Sequence, residues 1–182
     1  MRVRTLLSVG IISNLTFPPP SFHVGLDGMD LIIKSVDPRP IQWELLEIYR
    51  RAYRGWEEYA YRADHEIFGY FRWLYKRAPE GFLVASVGEK PLGFVAVDDR
   101  WIDSAGERIG EIHEWAVDPT FQGRGIGKRL FLAGLEVLRT KGHKRFGLWV
   151  GEKNTKAQAF YERLGFRREG QWGIWVRMIK ED

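Results

Sequence analysis

The stretch that most constrains this chain is residues 111–128, Glu-Ile-His-Glu-Trp-Ala-Val-Asp-Pro-Thr-Phe-Gln-Gly-Arg-Gly-Ile-Gly-Lys. It reads as an extended run stopped at Asp118-Pro119, a turn with glycine at every second residue, and the start of a helix. Proline lacks the N–H that a sheet ladder needs, so the strand ends there. Ile126, Leu130, Ala133 and Val137 then recur at helical spacing. A glycine turn that opens a helix directly after a strand brings backbone N–H groups and the positive end of the helix dipole to one point, which suits a phosphate group. Two common phosphate loops do not fit the letters. The pattern G-x-x-x-x-G-K-[ST] meets Gln122 at its first glycine and Arg129 at its hydroxyl position, and G-x-G-x-x-G meets Lys128 or Leu130 at its third glycine. Three glycines alone leave open a tight turn with a solvated Arg124 and Lys128.

The rest of the chain sets this turn inside one domain. Leu31, Ile33 and Val36 predict a strand stopped by Asp37-Pro38. Leu45, Ile48, Tyr49, Ala52 and Tyr53 form the stripe of a helix, and residues 64–77 predict a second, with Ile67, Phe71 and Leu74 inward. A hairpin is expected over 82–87 and 92–98, a strand over 108–117, a helix over about 125–141 and a strand over 145–150. A short helix over 155–164 closes at Gly165, and two terminal strands over 166–179 are expected to turn at Glu169-Gly170. This order predicts an α/β single domain around a mixed, largely antiparallel sheet.

Composition narrows the function. The 182 residues, 45% of them apolar, are enough for one core. There is no cysteine, which excludes disulfides, thiolate nucleophiles and cysteine-based metal sites. No apolar run approaches 18 residues, so no membrane-spanning helix is expected. The excess of 28 Lys+Arg over 24 Asp+Glu is mild and spread along the chain, which points to an anionic ligand rather than to nucleic acid. Residues 1–28 carry Arg2 and Arg4 before an apolar stretch and three prolines. They read as an export signal, a disordered leader, or translation from a start upstream of Met29; the apolar run is short and no small-x-small cleavage site precedes the prolines, so the domain is expected over 29–182 in the cytoplasm.

The segment 111–127 resembles motif A of the GNAT N-acetyltransferases, whose [QR]-x-x-G-x-[GA] signature is met by Gln122, Gly125 and Gly127. Downstream, residues 148–154, then Ala157, Phe160-Tyr161-Glu162 and Leu164-Gly165-Phe166, look like the family's motif B. The likeness is specific over about residues 80–180 and only architectural over 30–79. It implies a single GNAT-like domain with a twisted sheet flanked by helices, acetyl-CoA as cosubstrate and no metal. The acceptor would be a primary amine of a protein N-terminus, a lysine or a small molecule, with no nucleic-acid or membrane partner; a homodimer is compatible. By the same resemblance the pyrophosphate lies on Gln122, Gly123, Arg124, Gly125, Ile126, Gly127 and Lys128. The pantetheine arm occupies a splay between strands 111–117 and 145–150 and bonds near Val117, with the Trp115 N–H as oxyanion donor. Asn154 would hydrogen-bond the cofactor or cap the helix that follows it, and Ala157 completes the cofactor set. Thr155-Lys156-Ala157-Gln158 matches a capping box, which would leave Asn154 for the ligand.

The chemistry demands a base, because an alkyl amine has a pKa of about 10 and attacks only when neutral. Strand alternation puts Glu111, His113 and Trp115 on one face and Glu114 on the other, unless a bulge intervenes. The resemblance places Glu111 where histone-type enzymes carry their glutamate base, and Glu111 with His113 where serotonin-type enzymes carry two histidines. Glu111 or His113 is thus the expected base, with Glu114 or a water left open. Tyr161 stands at the family's acid position, where it would protonate the departing thiolate; as a plain core aromatic it would fit the same stripe. With no cysteine, no acyl-cysteine forms and transfer is direct. One rival is a non-catalytic acyl-CoA-binding regulatory module, which would lack base and acid. A second is an RNA binder that stacks bases on its 8 Trp, 7 Tyr and 11 Phe, most of which fall in amphipathic stripes and suit a core. Residues 56–64 and the terminal strands with Trp172 and Trp175 are expected to line the acceptor.

Overall fold

The computed structural model describes residues 21–26 and 29–182. The elements are β1 (Ser21–Leu26), β2 (Met29–Ser35), α1 (Gln42–Ala52), α2 (Asp64–Arg77), β3 (Phe82–Val87), β4 (Lys90–Ile102), β5 (Arg108–Val117), α3 (Ile126–Thr140), β6 (Arg145–Gly151), α4 (Thr155–Arg163), β7 (Arg167–Trp172) and β8 (Trp175–Glu181). All eight strands join one sheet in the order β1-β2-β3-β4-β5-β6-β8-β7. Every neighbouring pair is antiparallel except β5 with β6. The α/β, largely antiparallel architecture expected from the element order is therefore present.

Alternation along the central strands feeds two layers. Leu83, Ala85, Val95, Val97 and Ile112 pack under Leu130, Phe131 and Leu138 of α3. Phe82, Val84, Phe94 and Ala96 pack under Leu45 and Tyr49 of α1 and Ile67 and Phe71 of α2. Phe82 stacks on Phe94 at 5.6 Å and Phe71 closes edge-on at 5.3 Å. Each such ring, removed from water, contributes roughly 1.5–3 kcal/mol, so the two layers clamp β4 and β5 from both sides.

The structure departs from the sequence reading at three places. The sheet begins earlier than Met29, because β1 pairs with β2 from Ser21↔Lys34 to Leu26↔Met29. The rest of the expected leader, residues 1–20, 27 and 28, lies outside the described residues. The terminal hairpin turns at Gly173-Ile174 and not at Glu169-Gly170: Trp172 pairs with Trp175, and Gly173 takes φ +56°, the left-handed backbone that a two-residue hairpin turn needs. The register shift between Arg168 and Gly170 instead marks a bulge. β4 also runs past the expected end at Asp98 to Ile102, through a second irregularity between Asp98 and Trp101. Among the described residues no helix is long and apolar enough to cross a membrane.

Candidate active site

β5 and β6 run parallel but pair only at Gly110↔Phe146, Glu111↔Gly147 and Ile112↔Leu148. Both strands continue, to Val117 and Gly151, so beyond Ile112 a gap opens between them. The Asp118 N–H donates to Leu92 O at 2.9 Å. This sets the alternation of β5: Ala116 and Glu114 bond across to β4, and the amides of Trp115 and Val117 face the gap. Side chains meet two of these groups, since the Trp115 N–H donates to Glu114 Oε1 at 3.1 Å and Gln122 Nε2 donates to Val117 O at 3.3 Å. The expected splay is thus a feature of the fold.

At the open end of the gap lies the glycine turn. Gly123 and Gly125 take φ +80° and +78°, a conformation that costs glycine little and other residues more. A Cβ at either would meet nothing within 4 Å, so the turn faces open space. Gly125 is the N-cap of α3, no side chain caps the first turn and no acidic residue stands in it. Its first N–H groups therefore point outward as donors at the positive end of the dipole. Gly127 has a different reason: a Cβ there would come within 2.9 Å of the Trp115 ring, so only glycine lets the helix rest on that indole. Lys128 is exposed on this first turn. Arg124 and Lys90 flank the Phe121 ring at 5.8 and 4.9 Å; Lys90, at the β3–β4 hairpin, carries no sequence signal of this role.

The start of α4 is finished in the opposite way. Asn154 is its N-cap, with Oδ1 accepting from the Ala157 N–H at 3.1 Å. Gln158 Nε2 donates to Gly151 O and Glu152 O, each at 3.0 Å. The capping box expected at Thr155 is not formed; of the two roles expected for Asn154 the structure shows the helix cap, which takes up its Oδ1 and the Ala157 N–H.

On β5 a bulge decides which side chains meet. Ala96 pairs with Glu114 but Val97 pairs with Ile112, so His113 is an extra residue and the alternation resets. Trp115 and Val117 pack with Ile112 in the α3 layer. Glu114 instead joins Glu111 and His113 on the face toward α1 and α2, which corrects the expectation that Trp115 shares their face.

These three titratable side chains have three different partners. Both Glu111 oxygens bond to Arg177, Oε1 to Nη1 at 2.5 Å and Oε2 to Nη2 at 2.8 Å, with side chains 1% and 8% exposed. Burial pushes this carboxyl up while the guanidinium pulls it down; both of its oxygens are held in a buried ion pair. His113 Nε2 lies 3.4 Å from Asp98 Oδ2, between the edges of Trp73 and Trp101 at 5.0 and 4.9 Å. Burial alone would raise Asp98, but bonds from His113, Arg77 and the Arg100 N–H hold it at about 2, a fixed anion that ties the imidazole toward β4. Among the described residues Glu114 has no ion-pair partner. It is 7% exposed, accepts from Tyr53 Oη at 2.9 Å and the Trp115 N–H, and faces the Tyr70 hydroxyl, which donates to His113 O at 3.3 Å. Burial outweighs these bonds and pushes its carboxyl up to about 7.

Across the gap, Tyr161 is buried beside Phe131 at 5.4 Å and Trp115 at 5.9 Å. Burial, then the nearby Glu114 charge, raises its phenol, so it keeps its proton at neutral pH. The Trp115 indole stacks on Phe160 at 4.8 Å, yet its Nε1 is buried with no hydrogen-bond partner among the described residues. A buried N–H left unpaired is costly, and here it lies where α3, β5 and α4 converge. Tyr59 covers Gly151 and meets Trp175 at 5.2 Å, and Glu58 pairs with Lys153 at 3.2 Å. Residues 56–64 and Trp175 thus come together over the end of β6, whereas Trp172 stands apart, 80% exposed. The sequence reading missed Tyr53, Tyr70 and Arg177, which reach β5 from distant elements.

Residues 43–166 match the model of the Acetyltransferase (GNAT) family. The chain is 44% identical over 138 residues to an uncharacterized N-acetyltransferase of Methanocaldococcus jannaschii, covering 75% of this chain and 61% of that protein. It therefore spans only about three fifths of that relative's length. An uncharacterized N-acetyltransferase of Archaeoglobus fulgidus is 37% identical over 131 residues, 71% of this chain and 89% of that one. Among solved structures, PH1933 from Pyrococcus horikoshii OT3 is similar at 40% identity with a TM-score of 0.75, over 84% of this chain and 98% of that one. The PaiA N-acetyltransferase from Thermoplasma acidophilum, solved in complex with coenzyme A, shares the fold at 21% identity with a TM-score of 0.64, over 85% of this chain and all of its own. With more than half of its length inside the family's pattern, and with the sheet that accompanies it, the chain belongs to the GNAT acetyltransferase family.

Proposed function

We propose that this chain transfers an acetyl group from acetyl-CoA to a primary amine, with Glu114 as the general base. The observation that carries this reading is one buried carboxyl, pushed up to about 7 and held only by neutral donors, at the mouth of the β5–β6 gap. A base works best when its pKa lies near the working pH. A non-catalytic acyl-CoA sensor has no need of such a group.

Acetyl-CoA, when bound, supplies the activated thioester. The open N–H groups at the start of α3, with Arg124, Lys128 and Lys90, suit its pyrophosphate, and Gln122 keeps the turn joined to Val117. The Val117 N–H and the Trp115 carbonyl, which face the gap, suit the pantetheine amides, and the orphaned Trp115 Nε1 has a donor to spare there. Glu114 removes the ammonium proton, directly or through a water. Tyr161 holds the proton that the leaving sulfur needs, a thiolate with a pKa of roughly 8–9 by analogy with cysteine. Glu111 positions Arg177, and His113 anchors the bulge that turns Glu114 toward the acceptor. The amine enters from the side of residues 56–64 and belongs to a protein N-terminus, a lysine or a small molecule.

The test is a pH–rate profile of CoA release with an amine panel. Glu114 takes the ammonium proton as the carboxylate, which dominates above about pH 7. The log of kcat/KM should therefore climb with a slope of about 1 below neutrality and level off between there and the amine's own pKa of about 10. Glu114→Gln, which depends on free amine, should lower turnover near neutrality by about 10²–10⁴-fold, show a slope of about 1 with no plateau up to the amine's pKa and leave acetyl-CoA affinity unchanged. Tyr161→Phe should slow transfer about ten- to a thousandfold without recovery at high pH. Wild-type turnover in Glu114→Gln would remove it as the base.

A further inference from the structure

A line of rings leads away from Glu114 to a second hollow in the surface. Tyr70, whose hydroxyl faces Glu114, stacks on Trp73 at 6.0 Å. Trp73 meets His113 at 5.0 Å, His113 meets Trp101 at 4.9 Å, and the Arg77 guanidinium lies over Trp101 at 5.8 Å. Tyr70, Trp73 and Arg77 stand at i, i+3 and i+7 of α2, so a single face of that helix forms one wall. The line ends at a cavity of about 340 Å³ lined by Trp73, Lys76, Arg77 and Arg100: three cations and an indole, with no carboxylate among them.

The charges there are unevenly matched. Arg77 is neutralised by the buried Asp98, with Nε to Oδ2 at 2.6 Å. Arg100 donates from Nη2 to Lys76 O at 3.2 Å, but its contact with a carboxylate is loose, Nε to Asp99 Oδ1 at 4.0 Å, and it and Lys76 are exposed. Trp73 stays 40% exposed beside them, a flat apolar surface next to excess positive charge. Such a pairing suits a planar group that carries an anion.

We propose, on the acetyl-transfer reading above, that the acceptor is an amine with a planar apolar body and an anionic terminus. Its amine sits at Glu114, its body lies along Tyr70 and Trp73, and its anion is held by Lys76 and Arg100. The acceptor site is thus two-ended, and the second end selects.

The test uses Gly-Phe and Gly-Phe-Phe, each as the free acid and as the C-terminal amide. Binding is measured by calorimetry with CoA present, and acetylation by initial rates with acetyl-CoA. The acid of at least one length should bind about ten- to a hundredfold more tightly than its amide, with a preference that shrinks as salt rises. In the Lys76→Gln/Arg100→Gln double variant the two forms should bind alike, with amide affinity, acetyl-CoA affinity and melting temperature unchanged. Equal binding of acid and amide by the wild type, at both lengths, overturns the proposal. So does a preference that survives in the double variant. If the acid is preferred in binding but neither form is acetylated, the anion end stands and the role of Glu114 falls. If both forms are acetylated with equal kcat/KM, the acceptor class falls and the role of Glu114 stands.

Discussion

On the side of β5 that faces α3, the polar groups that mark the site are backbone: an uncapped first turn, two glycines near φ +80° and amides turned into a gap. On the side that faces α1 and α2 they are side chains, Glu111, His113 and Glu114, and each behaves as its partner dictates. Glu111 meets a guanidinium and is locked; His113 meets a carboxylate and is tethered; Glu114 meets hydroxyl and amide donors and is left near neutrality. Residue type alone does not separate the two glutamates; the charge of the neighbour does. The same lesson holds within the backbone half. α3 and α4 both start at the open end of the gap, but only α4 spends its first turn on its own asparagine.

Substitutions can break this contrast between a backbone site and a side-chain site. The largest effect is expected from Glu111→Ala, which strands Arg177 in a buried position without its anion. Stability should fall by about 3–5 kcal/mol in urea unfolding. A loss below about 1 kcal/mol would mean that the pair is not structural and would return Glu111 to the candidates for the base. Gly125→Asp should do the reverse, sparing the fold and striking the ligand. Aspartate tolerates the left-handed conformation better than most residues, and its carboxylate would both cap α3 and repel phosphate. Acetyl-CoA affinity should drop about a hundredfold by calorimetry with little change in melting temperature; unaltered affinity would put the cofactor elsewhere. The smallest effect belongs to Asn154→Ala, with about 1 kcal/mol of stability lost with the cap and acetyl-CoA affinity retained. A drop in affinity without a drop in stability would restore Asn154 to the cofactor set.

What the letters disclosed follows the same division. The glycine turn was legible because its conformation is written in the residues that adopt it, Gly123 and Gly125. The spans of α2 and β5 were legible from their apolar spacing. The bulge at His113 was not, since no glycine or proline marks it, and its effect is to exchange the faces of Glu114 and Trp115. Arg177 and Tyr53 reach β5 from 66 and 61 residues away, and no local pattern announces such pairs. Gly170 and Gly173 are equally good turn letters, and only the pairing of Trp172 with Trp175 chooses between them. β1 was missed although Phe22, Val24 and Leu26 alternate, because six residues beside an apparent leader make a weak signal.

The seam between β5 and β6 has a mechanical side. β1 to β5 form one antiparallel block and β6 to β8 another, and within the sheet only three residue pairs sew them together. A molecule whose amides fill the widened part of the seam adds rungs to the ladder, so on the proposed function the cosubstrate is also a structural staple. Free acetyl-CoA at a concentration a hundredfold above Kd would add about 2.7 kcal/mol to the cohesion of the whole domain. The backbone of residues 113–117 would then be best shielded from hydrogen exchange when acetyl-CoA is abundant, and a chain short of it would give way first along this line.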